Sequence, residues 1–388
     1  MNHVSTPHAG RRGLTRRELL LRGGALGFAG LSLPTLLAAC GGGGDSSGGD
    51  LALDMVNWPL YIQPTEGDVL GTVDRFMAAT GVSMTYNETY NDNLEYFAKI
   101  QPILGTGKTL DTDLLCPTYW MASRLRTLDW LDKLPLDQVP NAVNLEDQFV
   151  KPAVDPSGEY SLPWQAGMAG IAYNISVTGR ELKSVKDLLD PEFNGKIAML
   201  TEMRDTVGLL LMSEGIDPSS VNTFDDAAVA FEILEKAKAD GQIRAFTGND
   251  YTDDLSSGNF AACVAWSGDV LQLSVDNPDV RFVIPEEGGT LWWDTMVIPK
   301  GAKNREAIAK WMDFVYDPVE AAKITAWVQY NSPVKGVREE VAKIAPDLAE
   351  NPLVFPDAET KSRLRQFAPL DLDVEAEFEE AFSKITGA

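Results

Sequence analysis

Histidine is almost missing from this chain: His3 and His8 are the only two among 388 residues. Both fall before residue 39, so everything downstream lacks an imidazole. That rules out a Ser-His-Asp or Cys-His nucleophile and a His-ligated zinc there, and leaves carboxylate-only chemistry among the enzymatic readings. Cysteine is scarce too, with three in all. Cys116 and Cys263 each lie at the end of an apolar, strand-like run, where two buried free thiols are favoured over a disulfide. Positive charge is also short, with 33 Lys and Arg against 57 Asp and Glu and a formal net charge of −24. Such a surface repels nucleic acid and attracts polycations. No apolar run reaches the ~20 residues of a membrane span. The glycines near Gly105 do not make a phosphate loop, because its first glycine would fall on Pro102. Asp250, Asp253 and Asp254 lack the glycine and closing glutamate of a calcium loop and read as a solvated acidic segment. Neither a metal nor a cofactor is expected.

The N-terminal segment indicates where the protein works. Arg16 and Arg17 follow Thr15, an apolar stretch runs from Gly24 to Ala39, and it closes on Leu37-Ala38-Ala39-Cys40. That pattern is expected to be a twin-arginine export signal over residues 1–39, with Cys40 lipidated as the new N-terminus. Residues 40–50 are then a Gly/Ser tether with a reach of roughly 18 Å. Loss of 1–39 removes five arginines and one glutamate, which takes the charge from −24 to −28. The rest of the chain would hang from a membrane on its periplasmic or extracellular face.

A chain this long exceeds one ordinary core, so two lobes are expected. Strand-like runs at Leu53–Trp58, Val82–Tyr86, Asp113–Cys116, Ile171–Asn174, Ile197–Leu200, Phe260–Trp266 and Val280–Ile284 alternate with helical patterns. This alternation predicts an α/β architecture. Asp92 is placed to cap a helix, Thr223 with Asp226 forms a capping-box pattern, and Gly81 stops the first helix. The acidic stretch Asp371–Glu380 reads as an exposed helix face.

In α/β folds, ligands sit beyond the carboxyl ends of the strands. Those positions carry Trp58 and Tyr61; Thr118 and Trp120; Glu202 and Asp205; Trp266 and Asp269; and Trp292 and Asp294. Rings and acids recur together, and Arg204 is nearly the only basic company. A protonated amine seeks carboxylates at its nitrogens, at ~1.5–3 kcal/mol for each charged hydrogen bond. Its cationic groups also seek aromatic faces, at ~0.5–2 kcal/mol. Each residue also has an ordinary explanation: tryptophans fill cores, and Glu202, Asp205 and Asp269 suit helix N-termini. Their joint placement is what points to a cationic ligand.

At these residues the sequence resembles the spermidine/putrescine-binding proteins of bacterial polyamine ABC importers. The likeness is carried by Val56-Asn-Trp-Pro-Leu-Tyr61, Asp113-Leu-Leu-Cys-Pro-Thr118, Thr201-Glu-Met-Arg-Asp205, Trp266-Ser-Gly-Asp269, Gly288-Gly-Thr-Leu-Trp-Trp-Asp294 and Phe355-Pro-Asp-Ala-Glu359. The resemblance implies a two-lobed periplasmic-binding-protein fold, type II-like, with a mixed central sheet in each lobe and a ligand cleft between them. It implies that Trp58, Tyr61, Trp120, Trp266, Trp292 and Tyr330 line a methylene chain. Glu202, Asp205, Asp269 and Asp294 would hold amines, Thr118 would add a hydroxyl, and Gln366, one residue out of step after Glu359, would add an amide. Pro59, Trp120 and Glu202 depart from the residues the family commonly has there, which reshapes the ends of the pocket. Lobe 1 would comprise 51–164 and 295–329, and lobe 2 165–294 and 330–388. The expected partners are a polyamine and ABC permease subunits, met as a monomer, with no nucleic acid. The same fold with another cationic or amide-bearing nutrient, and a carboxylate-pair glycosidase, stand as alternatives.

Overall fold

Strands β5 (Ser161–Asn174) and β10 (Gly289–Pro299) are the long strands among the described residues. They pair antiparallel, from Thr290 opposite Ala169 to Val297 opposite Ser161. The computed structural model describes residues 51–90 and 92–387. The export signal, Cys40 and the tether up to Asp50 lie outside the described residues. All fourteen residues of β5 are buried, and its run of Ala, Gly, Met, Ile and Leu leaves no polar face for solvent.

The sheet extends outward from this pair on both sides. On one side lie β3 (Leu114–Leu115), β1 (Ala52–Asn57) and β2 (Ser83–Glu88); on the other lie β8 (Ala262–Trp266), β6 (Ile197–Leu200) and β7 (Ile243–Thr247). β4 (Leu131–Asp132) and β11 (Leu364–Arg365) attach to β10, and β9 (Val280–Val283) attaches to β5, making eleven strands among the described residues. The flanking strands are parallel within each side, as their helical crossovers require, whereas the central pairs are antiparallel. The expected mixed sheets are thus joined into one hydrogen-bonded sheet through β5 and β10.

The apolar residues divide into separate cores. One is built from Ile171 to Val280 together with Phe367, Phe378 and Phe382. The other side holds a cluster running from Leu53 to Trp164 and from Met296 to Ala349, and beside it a smaller one centred on Trp120, Leu125 and Trp293. Tyr330, Val334, Val337, Val341 and Ala349 pack with Leu53–Trp164, not with Ile171–Val280. Helix Val337–Ile344 returns its buried Val337 and Val341 to the core that helix Pro318–Val328 already occupies.

Local signals act as their chemistry dictates. Asp92 caps helix Asn93–Leu104 by accepting from the Leu94 and Glu95 amides at 2.8 and 3.1 Å. Thr223 and Asp226 form the capping box of helix Phe224–Ala239. Gly81 closes helix Thr72–Thr80 at φ 72°, a left-handed conformation open to glycine. Cys116 and Cys263 are buried free thiols. The stretch Asp371–Glu380 is largely exposed, as expected, with Glu375 the exception among its acids. It lies in helix Leu372–Thr386, but Glu375 is 4% exposed because two arginines meet it there.

Candidate functional site

The site is assembled where the carboxyl ends of the parallel strands meet the middle of β5 and β10. Pairing between β10 and β5 slips between Trp293 and Thr295, so Asp294 stands on an irregularity of the strand. Such a bulge re-aims a side chain. Trp293 packs away from the site, stacked on Tyr119 at 4.5 Å, while Asp294 accepts from Thr118 Oγ1 at 2.7 Å. Asn93 holds that hydroxyl in place: its Nδ2 donates to Thr118 Oγ1 at 2.9 Å and its Oδ1 accepts from the Thr118 amide at 3.2 Å. The Tyr61 hydroxyl lies close enough to Asp294 to favour its ionised form, yet it is buried without a full hydrogen bond.

Glu202 and Asp205 open helix Met203–Ser213 immediately after β6. Glu202 accepts from the Arg204 amide at 3.2 Å. Asp205 receives the Trp266 indole N–H at 2.8 Å and the Thr290 hydroxyl at 2.5 Å. Asp269, in the first turn of helix Ser267–Asp276, accepts from the hydroxyls of Tyr330 at 2.8 Å and Tyr251 at 3.1 Å and from Asn249 at 2.9 Å.

Aromatic rings connect these acids. Trp266 meets Trp292 edge-on at 6.5 Å, Trp292 meets Tyr330 at 5.3 Å, and Tyr330 meets Tyr61 at 5.5 Å. Two glycines make room for them. A Cβ on Gly167 would lie 2.4 Å from the Trp292 indole, and one on Gly268 would lie 2.6 Å from the Tyr330 ring. Trp58 is half-buried, donates its indole N–H to the Cys116 carbonyl at 2.9 Å and covers Tyr90 at 4.9 Å, a ring that in turn feels the charge of Asp294.

Burial dominates the electrostatics. It raises Glu202 to about 8, against the opposing pull of Arg204, with Asp205 and Asp92 adding to the rise. Burial likewise raises Asp294 to about 7 and Asp205 to about 6, although hydroxyl and indole donors favour their charged forms. Among the described residues neither Asp205 nor Asp294 forms an ion pair, so neutral donors hold them. A cation that entered would find carboxylates that gain from its charge.

Of the residues singled out in the sequence, Trp58, Tyr61, Thr118, Glu202, Asp205, Trp266, Asp269, Trp292, Asp294 and Tyr330 converge. Trp120 does not present a free ring face to them, since the Arg204 guanidinium lies 3.7 Å from its centroid and that of Arg124 lies 5.3 Å away. Gln366 is half-buried, and its Nε2 has no hydrogen-bond partner among the described residues. Sequence reasoning missed Asn93, Asn249, Tyr251 and Thr290, which orient the carboxylates. Asn93 lies next to the helix cap Asp92 and Thr290 lies within the Gly288–Asp294 segment, whereas Asn249 and Tyr251 carried no signal toward the site. No cluster of His, Cys, Asp and Glu suited to a metal occurs among the described residues, and none of their helices is long and apolar enough to cross a membrane.

A continuous sheet with two flanking cores and acids gathered at strand ends defines a two-lobed solute-binding architecture. Residues 71–356 match the model of the bacterial extracellular solute-binding protein family, and the chain belongs to that family. It is 26% identical over 305 residues to the spermidine/putrescine-binding periplasmic protein of Escherichia coli, covering 78% of this chain and 83% of that one. It is also 26% identical over 352 residues to the putrescine-binding periplasmic protein of the same organism, covering 86% and 90%. Among solved structures, the spermidine/putrescine ABC transporter substrate-binding protein of Streptococcus pneumoniae superposes with a TM-score of 0.71 at 25% identity, covering 87% of this chain and 98% of that one.

Proposed function

We propose that the protein captures polyamines of the putrescine and spermidine type outside the cytoplasm and presents them to the permease subunits of an ABC importer. One observation carries this reading: Asp205, Asp269 and Asp294 converge among the rings of Tyr61, Trp266, Trp292 and Tyr330, with hydroxyl and indole donors on Asp205 and Asp294. Two or three charged hydrogen bonds at ~1.5–3 kcal/mol each, with ring contacts at ~0.5–2 kcal/mol each, work against the entropic cost of association. The polyamine relatives support the same ligand class.

In this proposal the methylenes lie against Trp58, Tyr61, Trp266, Trp292 and Tyr330. Asp205, Asp269, Asp294 and Glu202 receive the amines, Thr118 and Gln366 supply polar contacts, and Trp120 acts through its stacked arginine. Lobe 1 comprises 51–164 and 295 to about 349, and lobe 2 comprises 165–294 and the C-terminal residues from Leu364. This moves the last crossing later than the expected Tyr330, because Val334, Val337 and Val341 pack with the first core. A lipid on Cys40 would hold the monomer at the membrane. The test is titration of tryptophan fluorescence with putrescine, spermidine, amino acids and sugars. Saturable quenching or enhancement by the amines alone is expected. Silence with every amine, or an equal response to neutral solutes, would overturn the proposal.

A further inference from the structure

Away from the carboxylates sits a charged group that ligand contact does not require. Arg124 projects from helix Tyr119–Thr127, whose Tyr119, Trp120, Met121 and Leu125 belong to the core centred on Trp293. Its Nε donates to Glu375 Oε2 at 2.8 Å, and its other nitrogen pairs with Glu379. Both glutamates stand on helix Leu372–Thr386, which buries Phe378 and Phe382 in the opposite core. The second oxygen of Glu375 receives Arg204, whose guanidinium lies over Trp120, 3.7 Å from the ring centroid. Arg204 adjoins Asp205 in the chain, and its guanidinium is 3.9 Å from Glu202. The side chains of Arg124, Arg204 and Glu375 are 8%, 5% and 5% exposed.

We propose that Arg124, Glu375, Glu379 and the Arg204–Trp120 stack form an interlobe clasp that holds the cleft closed and sets how long a ligand stays. The clasp rests on the two-lobed binding reading above. Its members join helices rooted in separate cores, so separating the lobes must break it. Buried ion pairs add little net stability over an apolar contact of the same shape, because desolvation offsets attraction. Opening returns that desolvation, so the same group holds when shut and releases when hydrated. A cavity of about 60 Å³ bordered by Trp120, Arg124, Arg204 and Glu375 gives water a way in. Arg204 ties the clasp to the ligand: one end of it touches Glu375, and the other faces the acids that would take an amine. Arg124 and Glu375 are thus positioning residues for binding, with no contact to the ligand required.

The test compares the wild-type protein with Arg124→Met and Glu379→Gln. Glu379→Gln keeps the Arg124–Glu375 bond and remains informative if Arg124→Met does not fold. Ligand-free samples are measured by small-angle X-ray scattering, and putrescine dissociation by stopped-flow tryptophan fluorescence. The clasp predicts a larger radius of gyration in the variants, or an off-rate raised about tenfold with the on-rate nearly unchanged, the size expected for one charged hydrogen bond. Either change supports it. An unchanged radius together with unchanged rates in folded variants overturns it. A wild-type protein that ignores putrescine overturns the ligand assignment instead, and scattering alone then decides the clasp.

Discussion

Changing only the pH gives a sharp test of the site, because burial has left its acids holding protons at neutrality. With Asp294 at about 7, the empty site at pH 7 keeps about half a proton on that acid, and burial makes Glu202 and Asp205, which titrate together, hold protons more tightly as well. A bound polycation restores the ordinary acidity of all three, so binding should release at least about half a proton. The dissociation constant should therefore fall at least about threefold between pH 6.5 and 7.5, while the amines stay charged because their pKa lies near the ~10.4 of lysine. Calorimetric titration at pH 7 in phosphate and in Tris reads the proton count directly, as the slope of the observed enthalpy against the buffer's ionisation enthalpy. A slope of zero with a pH-independent affinity would refute the reasoning.

The ligand-free fold must show the opposite side of the same linkage. These acids have folded pKa values above their unfolded ones, so the native state holds protons that the unfolded chain has already lost. Their cost to stability is absent below about pH 4, grows as pH rises, and is complete above about pH 8. Asp294 alone accounts for about 4 kcal/mol across its window, from its shift to about 7. Saturating polyamine should reverse the trend, so the ligand-induced rise in melting temperature should be larger at pH 8 than at pH 6.

Asp294→Asn keeps the Thr118 hydroxyl bond but removes the charge. It should weaken putrescine about ten- to hundredfold while leaving the melting temperature of the empty protein equal or higher; unchanged affinity by calorimetry would remove Asp294 from the site. Gly167→Ala drives a methyl into the Trp292 indole, 2.4 Å away, and should cost about 1–3 kcal/mol in urea unfolding together with ligand affinity. Trp266→Phe removes the indole donor to Asp205, so the acid should release its proton less readily and the proton count on binding should rise, read by the same two-buffer calorimetry. Cys40→Ser should move the mature protein from the membrane fraction to the soluble one in cell fractionation; retention on the membrane would exclude the lipid anchor.

How far the sequence could be read depended on whether the interaction was local. β1 and β6 follow from short apolar runs, and the helix caps at Asp92 and Thr223 follow from side chains that bond within three residues. The rings and acids of the site were visible for a related reason: an α/β chain always brings its strand ends to one edge, so pattern alone says which side chains meet there. What the sequence hid was set by distant partners. Nothing near Glu375 distinguishes it from its solvated neighbours, because Arg124 lies 251 residues away, and the acidic run therefore read as surface. Trp120 looked like a ligand ring for the same reason, since the guanidinium covering it belongs to a helix after β6. The aim of Asp294 depends on a one-residue slip against β5 that no periodicity encodes. The core that residues 330–349 pack against was not legible, because amphipathic helices show that they bury a face without showing against which core. The acids expected to bind a ligand and the acid that was misread thus share one chemistry, and they differ only in whether the fold has already supplied their cation. Glu375 has two arginines, while Asp205 and Asp294 have hydroxyls and an indole. That difference is the physical reason to look for an external cation at the second group and for a structural clasp at the first.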